Sequence, residues 1–378
     1  MRRKVIILGA TGSVGTTALN ALASFEREFE VVALSAYSNA KKLVDLANKF
    51  NCKNIALNKN YSEISFDGTL YKKREGLVKM IENVEADIVL NAISGSNGIV
   101  PSYVTLSSGK NLAISNKESM VAPGRILIKL AESKGVKIIP VDSEHSTLWA
   151  LLNAFKDRVD TLVLTGSGGP FKDLDASKFK DVTVEQALKH PTWSMGPKIS
   201  IDSATYANKG LEVIEAVNLF DYSPEKVEVV IHPQSIVHSL VRLTDGSLFA
   251  QLSPPDMTLP VMNALKEKSV VLENLVKKLD FTNLNLNFSK PDYEKFPLLK
   301  LAFQCAKEGQ ASSIVYNGAN EVAVEAFVQN MIKFNDIPTV VSKALDKQYP
   351  TTINSIDEVL EINRLSHSIG WEIVKELS

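Results

Sequence analysis

Cysteine is scarce in this chain: among 378 residues only Cys52 and Cys305 occur, and they lie far apart in the sequence. This scarcity argues against a disulfide framework and favours a reducing compartment. Long apolar runs are missing too, since no stretch approaches the roughly 20 residues that a membrane helix needs. The first strand is predicted from Lys4, which leaves no room for a signal or transit peptide. These absences predict a soluble, cytoplasmic protein.

An excess of charge of either sign is also absent. Lysine and arginine number 42, aspartate and glutamate number 43, and the formal net charge is -1. Because the basic residues are spread along the chain, they form no stripe for nucleic acid and no tail for an anionic membrane. The composition therefore argues against nucleic-acid and membrane partners. The length exceeds one ordinary core and predicts two or three domains.

The apolar runs that are present predict an α/β fold. Residues 4–8 form a short run rich in β-branched side chains, followed by glycines and then by a helical pattern. Strands buried on both faces of a parallel sheet have this character. Similar runs recur at residues 30–34, 87–93, 111–115 and 136–141. The pattern predicts a Rossmann-like, doubly wound sheet in the N-terminal part of the chain.

The remainder of the chain predicts two further domains. Strand-like runs indicate a second α/β domain, and helical periodicity indicates a helical bundle domain at the C-terminus, whose last helix opens with a capping box of Ser355 and Glu358. The strand-like runs lie at 161–165, 227–231 and 247–252. The expected divisions are a nucleotide-binding domain at 1–142, the second α/β domain at 143–266, a linker at 267–297 and the helical domain at 298–378.

Three glycines follow the first predicted strand, in the segment Gly9-Ala-Thr-Gly12-Ser-Val-Gly15. Gly9 permits a tight turn, Gly12 lets backbone amides approach a pyrophosphate, and Gly15 permits close packing of the next helix. The spacing is GxxGxxG rather than GxGxxG, and the alternative is a plain tight turn. In its strand-turn-helix context the motif predicts a dinucleotide site.

No acid occurs in the segment Leu34-Ser-Ala-Tyr-Ser-Asn39, about 20 residues further on, where NAD-binding proteins usually grip the ribose 2'-hydroxyl with a carboxylate. The missing carboxylate favours NADP over NAD. Ser38, Asn39, Lys41 and Lys42 are candidates to receive the 2'-phosphate. The alternative is that the two lysines form an ordinary solvated face at the start of a helix.

Three carboxylates have the chemistry of a site for a hard metal ion. Asp142 and Glu144 lie two residues apart after a predicted strand, so on an extended segment both side chains point to the same side. Glu212 could complete a set of oxygen ligands, which selects Mg²⁺ or Mn²⁺ over zinc. The alternative is that acids at a strand end serve as turn or cap residues.

The stretch from His190 to Glu212 is rich in polar side chains that a packed core does not require. Ser203, Asn208 and Lys209 within it suit a phosphate pocket. The alternative is that residues 208–210 form an ordinary turn at the start of a helix.

A second glycine-rich loop, Thr165-Gly-Ser-Gly-Gly-Pro170, also follows a predicted strand. Its backbone amides and the Ser167 hydroxyl suit a small anion. His145 and His190 are candidate proton carriers or donors near that anion, although a single histidine is more often a structural group.

Together with further strings in the same order, these motifs closely resemble the 1-deoxy-D-xylulose 5-phosphate reductoisomerase family. The strings are GATGSVG at 9–15, NKES at 116–119, VDSEHS at 141–146, LTGSGGPF at 164–171, HPTWSMGPKISIDSAT at 190–205, NKGLEVIEA at 208–216, IHPQSIVHS at 231–239 and NGANEVAVEAF at 317–327. The resemblance extends through essentially the whole chain.

The resemblance implies an NADPH-dependent, divalent-metal oxidoreductase of the non-mevalonate isoprenoid pathway, which makes 2-C-methyl-D-erythritol 4-phosphate as a homodimer. The carbon skeleton would rearrange by a retro-aldol and aldol sequence, and hydride from the nicotinamide would then reduce the branched aldehyde. Mg²⁺, Mn²⁺ or Co²⁺ would act as a Lewis acid on the substrate's carbonyl and hydroxyl oxygens.

The resemblance also implies roles for matching residues. The metal ligands would be Asp142, Glu144 and Glu212, and Lys117 and His145 would complete the catalytic set. Substrate contacts are expected from Ser143, Ser167, His190, Trp193, Met195, Ser203, Asn208, Lys209 and Glu212. Trp193 and Met195 would lie on a mobile lid that excludes water. Cofactor contacts are expected from Gly9, Thr11, Gly12, Ser13, Val14, Ser38, Asn39, Asn116, Lys117, Glu118 and Gly196.

One departure from the family pattern concerns the cofactor. Tyr37 and Ser38 stand where relatives often carry Gly-Lys before the asparagine, so the usual lysine for the 2'-phosphate is missing. This departure leaves the preference for NADPH over NADH open.

Two other functions compete with the reductoisomerase. A semialdehyde dehydrogenase opens with a similar glycine turn but needs a nucleophilic cysteine, whereas Cys305 lies in an amphipathic helical stretch at 298–307. A non-catalytic NADP sensor would need no set of three carboxylates. The carboxylates and the series of motifs favour the reductoisomerase.

Overall fold

The computed structural model describes residues 1–62, 64–193, 195–266, 275–350 and 352–378. The chain forms two compact units. The first unit comprises Met1–Ser119, Leu127–Ser146 and Asp256–Lys277. The second unit comprises Met120–Ile126, Thr147–Pro255 and Lys278–Ser378.

The first unit is built on a parallel sheet of seven strands. The strands are β1 (Arg3–Leu8), β2 (Phe29–Ala36), β3 (Asn54–Leu57), β4 (Thr69–Lys72), β5 (Ile88–Asn91), β6 (Asn111–Ile114) and β7 (Ile138–Pro140). Their spatial order is β4-β3-β2-β1-β5-β6-β7, so the order of the strands reverses at β1. All the pairings are parallel. The predicted doubly wound sheet is therefore confirmed, and its carboxyl edge beside β1 is where such sheets bind ligands.

The centre of this sheet is apolar because its strands are covered on both faces. Residues 5–8 of β1 and all four residues of β5 are buried. One cluster packs Ile6 and Leu8 of β1 with Met80 and Val89. This packing holds the end of β1, from which the glycine turn continues.

Helices connect the strands and form most of the C-terminal part. They are α1 (Ser13–Leu22), α2 (Ala40–Lys49), α3 (Lys73–Asn83), α4 (Ile99–Ser107), α5 (Lys117–Val121), α6 (Gly124–Lys134), α7 (Ser143–Phe155), α8 (Val184–Leu188), α9 (Pro197–Ala204), α10 (Ala207–Phe220), α11 (Thr258–Lys266), α12 (Pro297–Glu308), α13 (Gln310–Val328), α14 (Ile337–Leu345) and α15 (Ile356–Leu377). In the part of the chain that the structure describes, no helix combines the length and the apolar composition of a membrane span.

The second unit contains a smaller mixed sheet. Its strands are β8 (Val159–Gly166), β9 (Val227–Ile231), β10 (Val237–Leu243) and β11 (Leu248–Leu252), in the spatial order β11-β10-β8-β9. Strands β8 and β9 are parallel, whereas β10 runs antiparallel to β8 and β11. The predicted second α/β region is confirmed, although the sequence pattern did not indicate β10.

The C-terminal helices pack around α13, which contacts α12, α14 and α15. The Tyr316 hydroxyl donates to the Leu298 carbonyl oxygen at 3.1 Å. A Cβ atom on Gly210 of α10 would lie 2.6 Å from that hydroxyl, so only glycine fits there. The predicted capping box of Ser355 and Glu358 at the start of α15 is confirmed. The predicted domain boundaries stay predictions, and residues 267–274 of the expected linker lie outside the described residues.

Candidate functional site

The glycine turn after β1 is shaped by close approaches of the backbone. Gly9 has a φ of 75°, and a Cβ atom there would lie 2.5 Å from the Ala92 carbonyl oxygen. A Cβ atom on Gly15 would lie 2.4 Å from the Gly9 carbonyl oxygen. Gly12 precedes α1 and offers no capping side chain. The first amides of α1 therefore face the carboxyl edge of the sheet without a side-chain cap, as an anion-binding helix start requires.

Hydrogen bonds from β2 and α2 hold this turn. The amide of Gly9 donates to the Ser35 hydroxyl at 3.1 Å, and the amide of Ala10 donates to the Ser35 carbonyl oxygen at 2.8 Å. The Lys42 ammonium donates to the Thr11 carbonyl oxygen at 2.9 Å and to the Thr16 hydroxyl at 3.2 Å. Lys42, a sequence candidate for the 2'-phosphate, thus braces the turn in this structure. Ser13 is exposed and Val14 is half-buried beside it.

Asn116 and Glu118 shape the neighbouring loop after β5. The Asn116 amide donates to the carbonyl oxygens of Ile93 at 2.8 Å and Gly95 at 2.9 Å, and to a Glu118 carboxylate oxygen at 2.7 Å. Both side chains are buried. Their place after β6 puts them at the carboxyl edge of the sheet, where they organise the loop that follows β5.

Asp142 opens α7 instead of continuing an extended segment. Its carboxylate accepts the backbone amides of Glu144 at 3.1 Å and His145 at 3.3 Å, which is the bonding of a helix cap. The expectation that Asp142 and Glu144 lie on one extended segment is therefore wrong, because the helix begins at Ser143. The Ser143 hydroxyl donates to the Glu144 carboxylate at 2.6 Å. Asp142 therefore acts as a helix cap, as the alternative interpretation predicted, and it is also one of the three carboxylates of the predicted metal site.

Two basic groups contact the Asp142 carboxylate within the first unit. The Lys117 ammonium forms an ion pair with it, and His145 Nδ1 lies 2.8 Å from its other oxygen. Burial alone would raise the pKa of Asp142, but the charges of Lys117 and His145 and their hydrogen bonds hold the pKa well below its usual value. Asp142 is therefore an anion at neutral pH, as a metal ligand must be.

Ser167 and His190 form the core of a polar cluster in the second unit. His190 Nδ1 accepts the backbone amides of Thr192 at 3.1 Å and Trp193 at 2.9 Å. Since a nitrogen that accepts N–H groups carries no proton, the proton of the neutral ring is on Nε2, which lies 3.1 Å from the Ser167 hydroxyl oxygen. Burial lowers the pKa of His190, which favours this neutral form.

The Ser167 hydroxyl is consequently oriented as a donor. Its oxygen accepts from His190 and also from the Gly169 amide at 3.2 Å. A hydroxyl has two acceptor positions and one proton, so both acceptor positions are used and the proton points to a further acceptor. A phosphate oxygen is such an acceptor.

Lys209 and Asn208 both contact the Glu212 carboxylate along α10. The Lys209 ammonium pairs with one oxygen and also bonds the Thr165 carbonyl oxygen, and the Asn208 amide donates to the other oxygen at 2.6 Å. The Glu212 side chain is 2% exposed. Asn208 Oδ1 is buried without a hydrogen-bond partner in the described residues, so this cluster holds an acceptor that a donor group of a ligand, such as a hydroxyl, could satisfy.

The glycine loop of the second unit contacts the end of α9. A Cβ atom on Gly169, whose φ is 63°, would lie 2.7 Å from the Ser203 carbonyl oxygen. Ser203 is half-buried, and its backbone lies beside the loop that carries Ser167. The structure thus places Ser203 and Lys209 along the glycine-rich loop that carries Ser167.

The predicted lid lies between α8 and α9. Trp193 and Met195 are half-buried, and the Trp193 ring meets the His238 ring edge-on with centroids 6.3 Å apart. Gly196 precedes α9, which has proline at its first position. Ser194 lies outside the described residues.

Asp202 is a buried acid that sequence reasoning passed over. Its carboxylate accepts from the Asn320 amide at 2.8 Å and pairs with the Lys198 ammonium at 2.8 Å. This links α9, which follows the lid, to α13. The signal was present in the sequence, since an acid inside the polar stretch 190–212 and an asparagine in the later NGANE string both stand out from an apolar helix pattern.

Comparisons with known proteins agree along the whole chain. The family model described as "1-deoxy-D-xylulose 5-phosphate reductoisomerase" matches residues 5–124, "1-deoxy-D-xylulose 5-phosphate reductoisomerase C-terminal domain" matches residues 138–220, and "DXP reductoisomerase C-terminal domain" matches residues 252–369. The 1-deoxy-D-xylulose 5-phosphate reductoisomerase of Treponema denticola is 41% identical over 98% of this chain and 96% of its own. That of Halothermothrix orenii is 39% identical over 99% of both chains.

Solved structures agree as well. A crystal structure of DOX-P reductoisomerase in complex with NADPH, fosmidomycin and magnesium is 36% identical, has a TM-score of 0.93, and matches over 99% of this chain and 98% of its own. The Zymomonas mobilis 1-deoxy-D-xylulose 5-phosphate reductoisomerase in complex with NADPH is 37% identical, with a TM-score of 0.91 over the whole of both chains.

Proposed function

The chain belongs to the 1-deoxy-D-xylulose 5-phosphate reductoisomerase family, and from this premise we propose how its residues carry out the reaction. The protein converts 1-deoxy-D-xylulose 5-phosphate to 2-C-methyl-D-erythritol 4-phosphate, with NADPH and a divalent metal ion. The observation that carries this conclusion is the similarity to curated reductoisomerases along nearly the full length of both chains. The semialdehyde dehydrogenase alternative is not favoured, because the Cys305 thiol is fully buried and burial raises its pKa.

For the metal we propose three ligands, Asp142, Glu144 and Glu212. The donor set fits a hard divalent cation, because it consists of carboxylate oxygens alone. Asp142 is held ionised by Lys117 and His145. When bound, the cation supplies Lewis-acid polarisation of the substrate's oxygens. Lys117 and Lys209, each beside one of these carboxylates, limit the negative charge that the set carries before the cation arrives.

For the substrate phosphate we propose a pocket made by Ser167, Ser203, Asn208 and Lys209, with His190 behind Ser167. Support comes from the orientation of the Ser167 proton away from His190 and Gly169, and from the position of the Lys209 ammonium beside the carbonyl end of β8. Hydrogen bonds from ionised or fixed donors to phosphate are the strong class.

For proton handling we propose Lys117 and His145, with Ser143 orienting the substrate. Both basic groups touch Asp142, so each is placed to hold a proton close to the ionised carboxylate. Trp193 and Met195 would exclude water when the segment between α8 and α9 covers the substrate. Hydride transfer is the chemistry of NADPH itself, and the glycine turn of the first unit, together with Ser38, Asn39, Asn116, Glu118 and Gly196, would bind it.

We also propose a cytoplasmic homodimer. Leu248, Phe249 and Leu252 are 50%, 39% and 41% exposed on β11, an edge strand of the smaller sheet. An exposed apolar edge strand is a template for pairing with another chain. Cys52 and Cys305 are buried free thiols, which suits a reducing compartment. Light scattering should give twice the mass of one chain, and Leu252→Lys should reduce it to that of a monomer.

The reaction is tested by following NADPH oxidation in the presence of 1-deoxy-D-xylulose 5-phosphate and Mn²⁺. We expect turnover that EDTA abolishes and that is much slower with NADH. Absence of turnover despite measured binding of NADPH and Mn²⁺ would instead favour a non-catalytic NADP sensor.

The proposed role of Glu212 is tested by Glu212→Gln. We expect turnover to fall by about a hundredfold or more, because a group that stabilises transition-state charge is lost. The affinity for NADPH should stay normal and the affinity for Mn²⁺ should fall. Glu228→Gln, at an exposed ion pair with Arg242 on the same unit, is the matched control. Wild-type turnover in Glu212→Gln would remove this residue from the metal site.

A further inference from the structure

The segment after β2 poses a problem for a protein that uses NADPH. NADPH differs from NADH by a phosphate on the adenosine ribose, and proteins of this fold receive it with a basic residue near the end of the second strand. Here that segment reads Tyr37-Ser38-Asn39 and contains no basic residue. Lys42, in the first turn of α2, is hydrogen-bonded to the glycine turn through Thr11 and Thr16. The basic candidates that remain near this segment are the exposed Lys41 at the start of α2 and a lysine from a neighbouring turn.

Strand β3 brings a different lysine to this place. Strands β2 and β3 are parallel neighbours with Ala36 opposite Leu57, so the residues after each strand lie at the same edge of the sheet. The backbone confirms it, because the amide of Lys59 donates to the Tyr37 carbonyl oxygen at 2.7 Å. The Asn60 side chain donates to the Ser38 carbonyl oxygen at 3.2 Å. The turn after β2 and the turn after β3 are far apart in the sequence but are hydrogen-bonded to each other.

The Lys59 side chain lies over the aromatic ring that replaces the usual small residue. Its ammonium is 5.1 Å from the centroid of the Tyr37 ring, within the range of a cation–π interaction. Lys59 is exposed and the Tyr37 side chain is 56% exposed. Lys59 forms no ion pair with any carboxylate among the residues that the structure describes.

We propose that Lys59 supplies the cation that binds the 2'-phosphate and selects NADPH over NADH in this chain. The Tyr37 ring holds the ammonium at the carboxyl edge of β2, next to the exposed Ser38. In this chain the turn after β3 carries the lysine that relatives often carry in the turn after β2. This inference rests on the proposed use of NADPH.

The test compares binding of nucleotides to Lys59→Met and to the wild type. The variant keeps the length of the side chain and removes the charge. Lys49→Met is the matched control, because Lys49 is also exposed and also lies over a ring, 5.7 Å from the centroid of Phe50, but at the opposite end of α2. Dissociation constants are measured by titration calorimetry for NADPH and NADH, and for 2'-AMP and 5'-AMP as fragments with and without the phosphate at the critical position.

We expect Lys59→Met to weaken binding of NADPH and of 2'-AMP by about tenfold, the effect of losing one charge-assisted contact. Binding of NADH and 5'-AMP should change by less than about twofold, and the loss for NADPH should shrink at high salt. Lys49→Met should match the wild type, and Lys59→Arg should retain most of the preference.

An unchanged ratio of NADPH to NADH affinity in Lys59→Met would overturn the proposal, as would an equal loss for both nucleotides. A loss of selectivity in Lys41→Met instead would assign the cation to α2 and would equally overturn it. If the wild type binds neither nucleotide, the proposed function itself fails, which is a different outcome from a wild type that binds NADPH without help from Lys59.

Discussion

The two glycine-rich loops of this protein follow buried strands, yet they prepare for anions in different ways. The loop at 9–15 after β1 presents backbone, because a Cβ atom added to Gly9 or Gly15 would lie 2.5 Å or less from a carbonyl oxygen. The loop at 165–170 after β8 presents side chains, because Ser167 meets His190 while the Thr165 carbonyl oxygen binds Lys209. In the proposed sites a dinucleotide is bound by a local turn, whereas a phosphate monoester is bound by residues collected from several elements.

The difference teaches where selectivity resides in each unit. Backbone amides bind a pyrophosphate without distinguishing the rest of the cofactor, so the choice of NADPH must be made by a separate group such as Lys59. In the second loop the charged and polar side chains themselves form the proposed site. Changes in the first loop should therefore affect backbone geometry and stability, and changes in the second should affect ligand binding with little effect on the fold.

The largest effect is expected from Gly9→Ala, which adds a Cβ atom where the φ is 75° and the Ala92 carbonyl oxygen would be 2.5 Å away. We expect the free energy of unfolding to fall by about 3 kcal/mol and NADPH binding to weaken by more than about tenfold. Gly135→Ala separates the two causes, because Gly135 has a φ of 65° with nothing within 4 Å. Its cost should be about 1 kcal/mol, without loss of NADPH binding. Denaturant titration and calorimetry measure both; equal effects of the two changes would show that the Ala92 contact is unimportant.

An intermediate effect is expected from Ser167→Ala in the second loop. Because the Ser167 proton points away from its two donors, loss of the hydroxyl should raise KM for 1-deoxy-D-xylulose 5-phosphate by about tenfold and leave NADPH binding nearly unchanged. Stability should fall by about 1 kcal/mol, because His190 and the Gly169 amide lose their acceptor. Ser177→Ala, which removes an exposed hydroxyl bonded to Asp175, is the matched control. Steady-state kinetics measure the change. If KM stays at the wild-type value, Ser167 does not touch the phosphate and the comparison between the loops loses its basis.

The smallest effect concerns the pH dependence of stability through His190. Burial lowers its pKa from the usual 6.5, so as pH falls below 6.5 the unfolded chain takes up a proton before the folded one does. The folded state then loses stability until the folded pKa is passed, and none of this loss occurs above 6.5. We expect His190→Asn to remove about 2 °C of the fall in Tm between pH 7.5 and 5.5. If Tm falls by the same amount with pH in the wild type and in the variant, His190 is not a neutral, buried histidine in the folded state.

The parts of the fold that sequence predicted are those with a local signature. Strand β1 and the glycine turn were readable because apolar runs and glycines act over a few adjacent residues, and the capping box at Ser355 is a four-residue pattern. Strands β3 and β4 were not predicted; β4 lies at the edge of the sheet and has no buried residue, so it lacks the apolar run that marks a strand covered on both faces. Asp142 was assigned to an extended segment although an acid followed by Ser-Glu is also a helix-cap signal, and the structure gives it to α7.

The sequence by itself determined the kinds of groups at hand: three carboxylates, a polar stretch with serine, asparagine and lysine, and a turn after β2 without an acid or a lysine. Only the tertiary structure decided which ring nitrogen of His190 carries the proton, that Lys42 braces the glycine turn, and that Lys59 lies over Tyr37. The physical reason is the distance along the chain over which each interaction acts. A turn or cap depends on neighbours in the chain, whereas a hydrogen bond between residues 22 or 23 positions apart, as for Asn60 with Ser38 and His190 with Ser167, exists only after packing has brought the two segments together.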